Sequence, residues 1–240
     1  MNKTLLSLVL VAFTLNASER DFFGTNAGES APQTQVNGNS DDTKRDYFNE
    51  GHKAFEDQKY EKSKEIWTKL CEEENDGRSC TNLAWLYDQG LGIPVDKELA
   101  RKYYEKGCEL GNGLGCLNLA DTYFRADSVD KNFNVAFKYY VKACELDEPR
   151  ACAQVGYMYE FGDGTERSYE KAYEFYEKSC EMGYGEGCTN LGTLYVNGHG
   201  IEAPNTQKAE EYFIKGCDLG HEQGCKFETA LKEMRLKGEI

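Results

Sequence analysis

Ten cysteines fall into five pairs, Cys71/Cys80, Cys108/Cys116, Cys144/Cys152, Cys180/Cys188 and Cys217/Cys225. Their first members advance by 37, 36, 36 and 37 residues and their second members by 36, 36, 36 and 37. A fixed period of this length marks a repeat architecture, in which each unit is one supersecondary element unable to bury its apolar face alone. The chain must therefore place five equivalent units in a row.

The residues around the cysteines keep the same beat. Eight before each first cysteine stands Ser63, Ala100, Ala136, Ala172 or Ala209, and five and four before it come Ile66-Trp67, Tyr103-Tyr104, Tyr139-Tyr140, Phe175-Tyr176 and Tyr212-Phe213. Offsets of three and four put a small residue and aromatics on one helical face. After the second cysteine a new stripe begins, with Leu83, Leu86 and Tyr87 in the first unit and Leu191, Leu194 and Tyr195 in the fourth. Each unit reads as a helix, a short loop, a second helix and a turn. Three of those turns carry Gly-x-Gly, at Gly90, Gly162 and Gly198, where left-handed helix caps are expected. At the C-terminal end Glu228 and Lys232 replace Leu191 and Tyr195 of the unit before, as suits a wetted cap. At the other end residues 46–58 read as an unpaired helix covering the first unit.

Each cysteine pair brackets one loop, its members ending one helix and opening the next. Antiparallel packing of the two helices brings such Cα atoms within bonding range, so five disulfides are expected, each inside one hairpin. Zinc binding would call for close pairs such as C-x2-C together with histidines. The chain has no such pair, and His52, His199 and His221 take unrelated places in the repeat. No metal site and no cofactor is expected.

Oxidised cysteines imply an oxidising compartment, and the N-terminus agrees. Lys3 followed by the apolar run from Leu5 to Leu15 has the layout of a secretory signal peptide, read as residues 1–17. Residues 18–43, rich in Gly, Asn, Ser and Thr, read as a flexible leader that buries too little to order itself. Residues 44–240 form the repeat domain, and the protein is expected to be secreted or periplasmic. The formal charge of −14 becomes −15 once Lys3 leaves with the signal. That surface repels nucleic acid and anionic membranes, and points to a basic or neutral partner.

The pattern Ala-x-x-Tyr-Tyr-x-Lys-x-Cys-Glu-Leu-Gly from Ala100 to Gly111, echoed from Ala172 to Gly183 and followed by Asn-Leu-Gly-x-Leu-Tyr at Asn190–Tyr195, resembles Sel1-like repeats. The bridging cysteines in every unit resemble those of the Helicobacter cysteine-rich protein family. The resemblance implies an all-α, right-handed solenoid of stacked helix-turn-helix repeats, akin to tetratricopeptide arrays, with one disulfide per repeat and a concave face that binds protein or peptide. Members of the cysteine-rich family also act as penicillin-binding proteins with weak β-lactamase activity. The resemblance thus carries a second implication, a hydrolase acting on β-lactams or binding cell-wall peptide.

The residues bear unequally on the two. Serine β-lactamases use S-x-x-K with S-D-N and K-T-G elements. S-x-x-K occurs at Ser128–Lys131 and Ser168–Lys171, the supporting elements occur nowhere, and both serines precede a helix, where capping is the ordinary role of a hydroxyl. No catalytic residue is assigned. Repetition itself favours binding something extended. Two polar rows repeat. Lys69, Lys106, Lys142, Lys178 and Lys215 stand three before Glu72, Glu109, Glu145, Glu181 and Asp218, a spacing that predicts pairing within each helix. Asn82, Asn118, Gln154 and Asn190 follow the second cysteines by two. These carboxamides either face a bound peptide or tie their helix to its own preceding loop, and the sequence leaves both readings open.

Overall fold

A computed structural model describes residues 41–125, 131–238 and 240. The expected signal peptide 1–17, residues 18–40 of the expected leader, and Ser128 lie outside the described residues. Among the described residues there are eleven α-helices and no strand. A lone helix, α1 (Asp41–Glu56), precedes five hairpins: α2 (Tyr60–Glu73) with α3 (Gly77–Gln89), α4 (Lys97–Glu109) with α5 (Gly113–Arg125), α6 (Phe133–Glu145) with α7 (Pro149–Phe161), α8 (Tyr169–Glu181) with α9 (Gly185–Asn197), and α10 (Thr206–Asp218) with α11 (Glu222–Leu236). The helices form two compact units, one holding residues up to 158 with 162–166, the other 159–161 with 167–240.

Short polar residues start the helices. Asp76, Asp96, Asn132, Ser168 and Asn205 each accept a hydrogen bond from the backbone N–H three residues on, filling a donor the helix leaves unpaired. Glycines stop the second helices. Gly90, Gly162 and Gly198 take positive φ of 68°, 78° and 71°. The second glycine of each Gly-x-Gly is required by space as well. A Cβ on Gly164 would sit 2.3 Å from the carbonyl oxygen of Phe133, and one on Gly200 2.5 Å from that of Tyr169, so the turn lies directly on the start of its own hairpin.

The five disulfides pair as the sequence predicts, Cys71–Cys80, Cys108–Cys116, Cys144–Cys152, Cys180–Cys188 and Cys217–Cys225, over Cα separations of 4.5–4.8 Å. No free cysteine remains. Each ties the end of one helix to the start of the next, the first four within the buried core and Cys217–Cys225 half-buried.

The aromatic positions divide the labour. Those four before the first cysteine, Trp67, Tyr104, Tyr140, Tyr176 and Phe213, are at most 2% exposed. Those five before it stand half-buried and stack on the tyrosine seven after the second cysteine of the preceding hairpin. The stacks are Tyr87 with Tyr103, Tyr123 with Tyr139, Tyr159 with Phe175, and Tyr195 with Tyr212, at centroid distances of 5.9, 6.1, 5.7 and 5.4 Å. Each such pair contributes about 0.5–1.5 kcal/mol beyond its buried area, so the join between hairpins is stabilised in the same way at every step. At the N-terminal end, Tyr47, Phe48 and Phe55 of α1 close the cluster of Ile66, Trp67, Leu70, Leu83 and Leu86.

Candidate functional site

Positions two before, two after, five after and nine after the second cysteine are spaced by four, three and four, which places them in one stripe along each second helix. On α3 the buried residues are Ser79, Cys80, Thr81, Leu83, Ala84 and Leu86, whereas Arg78, Asn82, Trp85 and Gln89 of the stripe are half-buried or exposed. On α5 it carries Leu114, Asn118, Asp121 and Arg125, on α7 Arg150, Gln154, Tyr157 and Phe161, and on α9 Glu186, Asn190, Thr193 and Asn197. The amide row is therefore a feature of one continuous helix face in each hairpin.

Asn82, Asn118 and Asn190 are half-buried and Gln154 is 7% exposed. Among the described residues no hydrogen bond within the chain ties any of the four carboxamides, and none has an amide atom sealed from solvent without a partner. In two of the four units the residue before the amide, a threonine, makes the ties instead. Thr81 Oγ1 lies 3.0 Å from the Gly77 carbonyl and 2.8 Å from Asn112 Oδ1 in the next loop, and Thr189 Oγ1 lies 3.0 Å from the Gly185 carbonyl and 2.8 Å from His221 Nδ1. Glycine faces both hydroxyls, since a Cβ on Gly107 or Gly216 would come within 2.4 Å of them.

The centre of the stripe is charged. Asp121, 8% exposed, accepts a hydrogen bond from Tyr140 Oη at 2.5 Å and another from Arg150 Nη2 at 2.7 Å, with Arg125 Nη2 at 3.6 Å. Burial first, and the Asp121 charge second, push the Tyr140 hydroxyl well above its usual pKa, so it stays a donor. In the other unit Tyr176 Oη donates to Glu160 at 2.8 Å, and burial raises that carboxyl to about 7.

One expected pairing is corrected. Lys106 bonds Glu72 of the preceding hairpin at 2.8 Å rather than its own helix neighbour Glu109, so this rung of the charged row joins consecutive hairpins. Ser168 is a helix cap, its Oγ 3.3 Å from the Lys171 amide and donating to Glu170 at 3.0 Å. Lys131, the lysine of the other S-x-x-K, lies over the rings of Phe124 and Phe133 at 5.6 and 4.5 Å. No cluster of metal-ligating side chains occurs among the described residues, and no helix there is long and apolar enough to cross a membrane.

The Sel1 repeat family matches four consecutive segments, 77–112, 113–148, 149–184 and 185–221. The chain belongs to the Sel1 repeat family. In the family's frame each unit opens at a second helix, so Cys108 and Cys116 fall in consecutive Sel1 units and the disulfide between them joins one unit to the next. No curated protein matches the chain. Among solved structures, a Sel1 repeat protein from Oxalobacter formigenes is 25% identical, with a TM-score of 0.69 over 75% of this chain and 73% of that one. The protein c5321, a protective antigen of uropathogenic Escherichia coli strains, is 24% identical with a TM-score of 0.73 over 82% of this chain, which spans 43% of the antigen. Helicobacter pylori cysteine rich protein B is 34% identical over 55% of this chain and 94% of its own, with a TM-score of 0.44. Sel1 repeats commonly serve protein interaction.

Proposed function

We propose that this Sel1 protein is exported and binds an extended peptide, or an extended segment of a protein partner, along the stripe that carries Asn82, Asn118 and Gln154 in one unit, with Asn190 the equivalent position in the other. The observation behind the proposal is that the four carboxamides recur at one helix position, reach solvent and have no hydrogen-bond partner within the described chain. A carboxamide donates and accepts at once, so it can meet both the N–H and the C=O of a passing backbone. Five bridges, four of them buried, and no free cysteine suit a compartment that keeps thiols oxidised. The hydrolase reading draws no support from Ser168, whose oxygen caps a helix.

Binding of the oxidised protein to an array of extended peptides, compared with Asn118→Ala and Asn190→Ala, tests the proposal. Each variant is expected to lose array signal while its unfolding free energy stays within about 0.5 kcal/mol of the parent, as for a surface substitution that strands no partner. Unchanged array signal, or a loss of about 1–3 kcal/mol in stability as for a broken internal brace, would sink it.

A further inference from the structure

We infer that the stacked tyrosines of the fourth and fifth hairpins, flanked by Glu177, Glu181 and Glu211, receive an arginine side chain of a partner protein. The site lies on α8, α9 and α10 and does not depend on the amide stripe. Tyr195 and Tyr212 stack at 5.4 Å between centroids and 10° between planes, and Tyr173 meets Tyr195 edge-on at 5.9 Å. Hydrogen bonds fix a carboxylate to the rings. Tyr173 Oη donates to Glu177 Oε1 at 3.0 Å and, its proton being so used, accepts from Tyr195 Oη at 3.0 Å. Tyr195 is 5% exposed and Tyr212 half-buried, so the part of the Tyr212 ring that Tyr195 leaves uncovered reaches solvent. Around it stand Glu177, half-buried, and the exposed Glu211 and Glu181, whose charges, after burial and Tyr195, raise the Tyr212 hydroxyl above its usual pKa. None of the three carboxylates makes an ion pair among the described residues.

Equivalent rings in the other unit have a cation of the chain beside them. Near Tyr103, Glu72 is bonded by Lys106 at 2.8 Å, and Tyr139, close to Glu105 and Glu109, also has Arg101 beside it. At Tyr212 ring and carboxylates recur, and Lys208, 5.2 Å from the Tyr195 centroid, covers that ring while leaving the three carboxylates unpaired. A partly open ring bordered by carboxylates fits a planar cation. A guanidinium stacks on an aromatic face and turns its fork of donors to a carboxylate, whereas an ammonium is a compact, strongly hydrated charge that gains less from the ring. The chain's formal charge of −14 draws a basic partner toward the same face. The occupant is accordingly an arginine on a basic segment of a partner protein.

Three glycine tripeptides, acetylated and amidated, with arginine, lysine or glutamine at the centre, test the site. Each is titrated into the oxidised full chain and followed by the ring signals of Tyr173 and Tyr212. The arginine peptide is expected to move them saturably at about tenfold lower concentration than the glutamine peptide, the factor that one partly exposed ion pair and one cation–π contact provide together. The lysine peptide is expected to fall between. The double variant Glu177→Gln with Glu181→Gln, which keeps an acceptor for Tyr173, is expected to remove the arginine advantage. Glu105→Gln with Glu109→Gln, which takes the same charge from beside Tyr139, is expected to keep it. Three results would each overturn the site: no advantage of arginine over glutamine, an advantage shared equally by lysine, or equal losses in the two double variants. The last would trace the attraction to the net charge of the chain.

Discussion

Complete reduction of the five disulfides is expected to lower the melting temperature by tens of degrees. Each bridge closes a ring of nine or ten residues, given separations of 8 or 9, and the loop-entropy relation assigns about 2–3 kcal/mol to a ring of that size. The five contributions do not simply add. Yet even half their sum is comparable with the roughly 5–15 kcal/mol that holds a typical domain folded, and about 1 kcal/mol moves the melting point of a chain this long by about 2–4 °C. Repeat proteins depend on such local terms, because each hairpin contacts only its neighbours. Eight of the ten bridging cysteines sit deep, Cys71, Cys80, Cys108, Cys116, Cys144, Cys152, Cys180 and Cys188 being at most 1% exposed, and Cys217 and Cys225 are half-buried. Reductant therefore reaches them chiefly through opened hairpins, and thermal scans should follow reduction in denaturant and its removal. A melting temperature within a few degrees of the oxidised protein would show that helix packing alone suffices.

The second large effect concerns pH. Burial, which the Tyr176 hydrogen bond only partly offsets, raises the Glu160 carboxyl from 4.5 to about 7. A folded-state value above the unfolded one means that folding favours the protonated form. The stability tied to this group is complete below about pH 4.5 and is lost as the pH rises to about 7, by an amount on the order of 2–3 kcal/mol. Burial acts on His199 and His221 in the opposite sense. It lowers both values, so each contributes stability that appears as the pH rises toward the unfolded value. The comparison that isolates Glu160 is Glu160→Gln against the parent, by denaturant unfolding at several pH values between about 5 and 8. A glutamine keeps an acceptor for Tyr176 and cannot ionise. The variant is expected to match the parent near pH 5 and to exceed it by about 2–3 kcal/mol near pH 8. Parallel pH profiles would show that Glu160 is well solvated.

Much of this was legible in the sequence because it is local. Cysteine spacing gave both the hairpin and its bridge, since the two ends of a nine-residue ring have few other partners. Three-and-four spacing gave the buried face of Tyr104, Tyr140 and Tyr176. What escaped lies one repeat away in sequence. Arg150 reaches back 29 residues to Asp121, Thr81 forward 31 to Asn112, and Lys106 back 34 to Glu72. Periodicity sees only positions that are alike, and these contacts join positions that differ. The lysine row was paired within its helix because that spacing is always available, whereas the preceding hairpin offers Glu72 at 2.8 Å. A signal for the charged centre did exist: Asp121 stands where the other stripes carry Trp85, Tyr157 and Thr193. The amide row was visible as a repeat. That Thr81 and Thr189, rather than the amides, secure the loops could be read only from the fold.

The proposed protein is an exported Sel1 chain stapled hairpin by hairpin. Peptide mapping without reduction, on protein recovered from outside the cytoplasm, tests that most directly. The expected result is five linked peptide pairs, Cys71–Cys80, Cys108–Cys116, Cys144–Cys152, Cys180–Cys188 and Cys217–Cys225, with no free thiol. A bridge between different hairpins, or reduced cysteines throughout, would contradict it.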